Sequence, residues 1–213
     1  MYSKFQLSVK WFQYFIHASN SRGHGTHSPF VYELVREVLN DNRNYYAYGK
    51  IESVRADLLR DQRTIIVEDF GAGSKRMQHK EIKVSEIALR SLSSKKFGRL
   101  LFRLANFYRA RRIIELGSSL GISAGYLASA DGESRVNTLE GSPAVSGVAE
   151  ETFGKLELNN IKLTTGKFED TIHEILITNP GADLVLGDSL FKQYQDWRMK
   201  NMQQMRGAKS GNN

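Results

Sequence analysis

The sequence predicts an α/β protein: a parallel sheet of about four strands alternating with helices, preceded by a helical N-terminal region. Two observations carry this. From residue 112 onward, short branched apolar runs alternate with helix-length segments at the spacing of βαβ crossovers. Before residue 110, apolar residues recur mostly at helical spacing. With 213 residues, 40% hydrophobic and 25% charged, the chain has room for one full domain with an appendage.

The elements follow in order. "WFQYFI" at 11–16 is too short to span a bilayer and lacks the flanks of a signal peptide, so it reads as one face of a short helix. Ser28 and Pro29 have the chemistry of an N-cap and a first helical position, and Phe30, Leu34, Val35 and Val38 then share a face. A second helix is expected from about Ile51. "TIIVEDF" at 64–70 reads as a short strand, whereas "KRMQHKEIK" at 75–83 is charged and has no apolar period. Two helices follow, with Ser85 and Ser94 as candidate caps. "RIIEL", "SRVNTLEG", "NIKLTTGKF" and "ADLVLGD" then supply four strands. The expected organisation is a helical cap or substrate region over residues 1–110, the α/β domain over 111–206 and a disordered tail at 207–213.

Charge and cysteine narrow the function classes. The net charge of +7 lies wholly in the first hundred residues, which hold 17 Lys and Arg against 10 Asp and Glu. Those charges are scattered, which favours a solvated helical face and leaves nucleic-acid binding as an alternative. Cysteine is absent, so disulfides and thiolate metal sites are excluded, and a cytoplasmic location is expected.

Two glycine turns compete for a ligand. A nucleotide-binding turn needs a strand before it, small residues within it and a helix after it. A carboxylate at the end of the next strand completes it by accepting ribose hydroxyls. "VEDFGAGSKRM" has no following helix. "IIELGSSLGISAGYLAS" meets every condition, with Gly117, Ser119 and Gly121 small and Glu140 25 residues beyond Glu115. The first turn reads as structural, with Asp69 and Ser74 as alternative acceptor contacts. His24 and His27 make a poor metal signature, and no metal site is expected. A flexible entry to the helix at Pro29 is the preferred reading of that stretch, beside a histidine base near the acceptor.

The pattern Glu115-x-Gly117-x-Ser119-x-Gly121 is tighter than a dinucleotide fingerprint and begins with an acid. It resembles the first motif of class I S-adenosylmethionine-dependent methyltransferases, Rossmann-like enzymes. With "HGTHSPFVYEL", "DFGAGS" and "LLFRL", the wider pattern is similar to bacterial members that carry a helical N-terminal extension, over residues 20–188 or so. The resemblance implies S-adenosyl-L-methionine as cofactor. It implies that Glu115, Gly117, Ser118, Ser119 and Gly121 cradle the methionine part, that Glu140 and Gly141 hold the ribose, and that Lys167 and Phe168 border adenine. Asp188 falls where that family often puts a catalytic acidic or polar residue.

The implied activity is methyl transfer to an oxygen or nitrogen of a small molecule. An RNA acceptor and a non-catalytic scaffold stand as alternatives. The family sheet has seven strands in the order 3-2-1-4-5-7-6, but no credible fifth strand follows "ADLVLGD". Phe191, Tyr194, Trp197, Met202 and Met205 suit the apolar face of a last helix. The chain is therefore expected to be a C-terminally shortened member, with a bare strand edge that could support a homodimer.

Overall fold

The computed structural model describes residues 28–69, 78–167, 170–172, 175, 179 and 181–187. The expectations for 11–16, His24, His27, Ser74, Phe168, Asp188, the helix at 191–205 and the tail lie outside these residues. The chain divides into two compact units, residues 1–44 and 45–213.

In the first unit, α1 spans Pro29–Glu33 and continues as a wider π-helical segment, Leu34–Leu39. Ser28 is its N-cap, its hydroxyl accepting from the Val31 amide at 3.5 Å. Proline at the first position gives up an amide that the helix would leave unpaired in any case.

The second unit holds α2 (Ala47–Arg60), a hairpin of β1 (Thr64–Asp69) and β2 (Gln78–Lys83), α3 (Val84–Ser91) and α4 (Lys95–Phe107). It continues through β3 (Arg112–Leu116), α5 (Ile122–Ala128), β4 (Arg135–Glu140), α6 (Pro143–Leu156), β5 (Ile161–Thr165), helical residues 170–172 and 175, and β6 (Leu184–Gly187). The four strands from β3 onward form a parallel sheet in the order β5-β4-β3-β6. β3 is an inner strand with apolar side chains on both faces. Ile113 packs with α4, α5 and α6, while Ile114 and Leu116 pack with Ile172 and Ile175 on the other side. Each fully buried side chain of this size contributes roughly 1.5–3 kcal/mol.

Three local expectations change. α2 begins at Ala47, four residues early, because Ala47 and Tyr48 are buried in the same cluster as Ile51. β2 was not legible: of its six residues Ile82 alone is apolar, and it faces Ile65 across an antiparallel ladder. Ser85 is not a cap. α3 starts at Val84, and its first amides donate to backbone carbonyls, Val84 to Arg63 and Ser85 to Asp61, both at 2.9 Å. Main-chain acceptors from the α2–β1 connection thus replace a side-chain cap. Ser94 does cap α4, accepting from the Phe97 amide at 3.3 Å. α2, α3 and α4 share one apolar cluster with α5 and α6, through Tyr48, Ile51, Phe102, Tyr126 and Val148.

Candidate functional site

The site forms where β3 ends. Between Leu116 and Ile122 the backbone enters the left-handed region three times, at Gly117 (φ 100°), Ser119 (φ 47°) and Gly121 (φ 84°). At Ser119 this costs on the order of 1 kcal/mol, since the residue has a Cβ. Two bonds hold it there. Its amide donates to Glu140 Oε2 at 2.9 Å, and its hydroxyl is hydrogen-bonded to the Ser91 hydroxyl at 2.6 Å. The amides of Gly117 and Ser118 donate to the Leu139 carbonyl at 3.1 and 2.7 Å. The loop is therefore stitched to the end of β4.

The two glycines answer to different demands. A Cβ on Gly117 would meet nothing within 4 Å, so that face of the loop is open, and glycine there serves the backbone angle. A Cβ on Gly121 would lie 2.6 Å from the Phe153 ring. That glycine lets the start of α5 close on α6.

Glu140 sits at the tip of β4 with both carboxylate oxygens engaged by main chain, Oε2 by Ser119 and Oε1 by the Ser142 amide at 3.1 Å. A carboxylate has about four lone-pair directions, so it retains acceptor capacity for hydroxyls. Burial raises its pKa despite these bonds. The next turn adjoins it: the Gly166 amide donates to the Glu140 carbonyl at 2.9 Å, which sets the exposed Lys167 just beyond.

Glu115 lies beneath the loop, 1% exposed. Its Oε2 accepts from the Thr138 hydroxyl at 2.6 Å, across the β3–β4 register. Burial pushes its carboxyl up to about 7, more than the hydroxyl bonds pull it down. Glu115 Oε1, Ser118 Oγ and Ser142 Oγ are buried with no hydrogen-bond partner among the described residues. Such groups are few in folded proteins and each costs about 1–3 kcal/mol. Three of them around one loop mark a place suited to a polar ligand.

A cavity of about 220 Å3 opens there. Glu115, Gly117, Ser118, Ser119 and Ser123 form one side, and Leu186 and Gly187 of β6 another. The joint between α3 and α4 closes it with Ser91, Leu92, Ser93 and Phe97. Sequence reasoning missed this wall. "SLSS" looked like a helix cap and nothing more, and no spacing rule links it to a loop 25 residues away.

The structure thus brings together Glu115, Gly117, Ser118, Ser119 and Glu140, with Gly141 and Lys167 alongside. Asp69 ends β1 and carries no described side chain. Among the described residues no group of His, Asp and Glu could hold a metal ion, and no helix is long and apolar enough to cross a membrane.

No protein-family model and no curated protein matches the chain. Solved structures do. The S-adenosylhomocysteine-bound methyltransferase PaMTH1 of Podospora anserina is similar over 96% of this chain and 67% of its own, at 16% identity and a TM-score of 0.52. A Klebsiella pneumoniae protein assigned to the O-methyltransferases is similar over 76% and 63%, at 16% identity and a TM-score of 0.51. Cofactor-bound Rv0187 from MTB is 28% identical over 52% of each chain, with a TM-score of 0.48. The chain spans about half the length of Rv0187. The first two likenesses are at 16% identity and concern architecture: the chain has the α/β fold of these two structures.

Proposed function

We propose that this chain is a methyltransferase that binds S-adenosyl-L-methionine at the 117–121 loop and methylates an oxygen or nitrogen of a small molecule. The observation that carries the reading is the Ser119–Glu140 tie. A strained loop residue is fixed by the carboxylate at the next strand tip, beside a cavity lined by unpartnered buried polar atoms.

The residues present fit the cofactor. Glu115 Oε1 and Ser118 Oγ offer an acceptor and a hydroxyl to the polar groups of an amino acid. Glu140 keeps lone pairs for ribose hydroxyls, and Lys167 and Phe168 suit the adenine border. When bound, the cofactor supplies an electrophilic methyl group on a sulfonium. The protein's part is to hold, orient and exclude water, because in-line displacement gains most from positioning. The half-exposed Phe97 and the apolar Leu92 and Leu186 shield the cavity. Asp188, which follows Gly187 directly, is the candidate to orient the acceptor or take its proton.

The alternative of an RNA acceptor has one observation in its favour. Arg109, Arg111, Arg112 and Arg135 line a groove with Tyr108. Glu133 and Asp183 already engage Arg111 and Arg112, at 2.7 and 3.7 Å. The groove also lies at the amino ends of β3 and β4, roughly 17 Å of strand from the cavity at their carboxyl ends. RNA held there would sit away from the methyl donor, so the small-molecule reading leads. Titration with the cofactor and its demethylated product tests the reading. An RNA acceptor would add binding that falls steeply with salt.

A further inference from the structure

Beneath the cavity lies a buried polar chain that neither the loop nor Glu140 uses. Tyr126, on α5 directly behind the loop, is fully buried and donates its hydroxyl to Glu52 Oε1 of α2 at 2.5 Å. Arg55, one turn along α2 and 9% exposed, donates from Nε to the same oxygen at 3.1 Å. Its Nη1 then donates to the carbonyl of Ser93. Ser93 belongs to the α3–α4 joint that walls the cavity, and two residues earlier Ser91 holds the Ser119 hydroxyl. The joint is pinned at two points: to the loop in front and to the guanidinium behind.

We propose that Arg55 is a positioning residue for the cofactor cavity, fixing the α3–α4 joint through the Ser93 carbonyl and so setting how well the cavity holds its ligand. The inference rests on the cofactor reading above. Arg55 suits the task because its planar fork serves the Glu52 carboxylate and the Ser93 carbonyl at once. The Ser93 carbonyl falls between two helices, beyond the last turn of α3 and before the cap of α4, where no helical amide can serve it. Without Arg55, the Ser91–Ser119 bond is the remaining described side-chain tie at this wall. Gly98, one turn into α4, packs its bare backbone on the Tyr126 ring, so a shift of the joint is felt at α5 as well.

Removing Arg55 alone would leave the Glu52 carboxyl without its ion-pair partner, so Arg55→Met is paired with Glu52→Gln, and Arg55→Lys serves as the conservative variant. Two readouts are taken: calorimetric affinity for S-adenosylhomocysteine, and hydrogen exchange of the Leu92, Phe97 and Gly98 amides in ligand-free protein. The double variant is expected to bind roughly tenfold more weakly, toward the lower end of the range for coupled sites. Its joint amides should exchange faster while those of β3 and β4 stay protected, and Arg55→Lys should recover part of both. Unchanged affinity and unchanged joint exchange would overturn the proposal, as would faster exchange spread evenly over the core. A wild-type protein that binds no cofactor would overturn the cofactor reading itself. Faster exchange confined to the joint would still support the hold of Arg55 on that wall.

Discussion

Two carboxylates stand at neighbouring strand ends, and the more deeply buried one gives a prediction. Glu115 is wholly buried, with its pKa raised from 4.5 to about 7. The folded state therefore binds the proton more tightly than the unfolded chain does. Its contribution is fully present below pH 4.5 and is lost as pH rises through 7. Glu115→Gln should flatten that loss and gain about 3 kcal/mol over wild type above pH 7, read from urea midpoints across pH. A cation bound beside Oε1 would favour the ionised form, so cofactor binding near pH 6.5 should release protons. Binding enthalpies measured in buffers of different ionisation heat would reveal them. Glu140 was legible from its place at the end of an apolar strand 25 residues after Glu115. That its Oε2 also clamps the loop was not legible, because the clamp depends on the left-handed angle at Ser119, a residue that normally avoids it.

At the scale of elements, β3 and β6 could be read as apolar runs, and β4 and β5 from their place in the strand–helix alternation. β2 could not, since its pairing with β1 is made by backbone and its residues are mostly polar. The α3–α4 joint escaped for a related reason: its role is set by tertiary contact with the loop and with Arg55. Two substitutions probe these elements. Gly98→Ala would press a methyl group into the Tyr126 ring and should destabilise by about 1–3 kcal/mol, seen as a lower unfolding midpoint. Ser94→Ala removes the α4 cap and should cost about 1 kcal/mol.

For the molecule as a whole, the order β5-β4-β3-β6 puts the cavity at the carboxyl ends of the strands, where open α/β sheets bind their ligands. The candidate acceptor contacts Asp188 and Ser74 lie outside the described residues. A ligand that binds the folded state at a hundred times its Kd adds about 2.7 kcal/mol of stability. That should raise the unfolding temperature by roughly 5–10 °C. The central claim is tested most directly by calorimetric titration of wild type and Glu140→Ala with S-adenosylmethionine and S-adenosylhomocysteine, each protein first shown to be folded. The account predicts micromolar binding by wild type that the variant loses. No binding by folded wild type, or equal binding by both proteins, would contradict it.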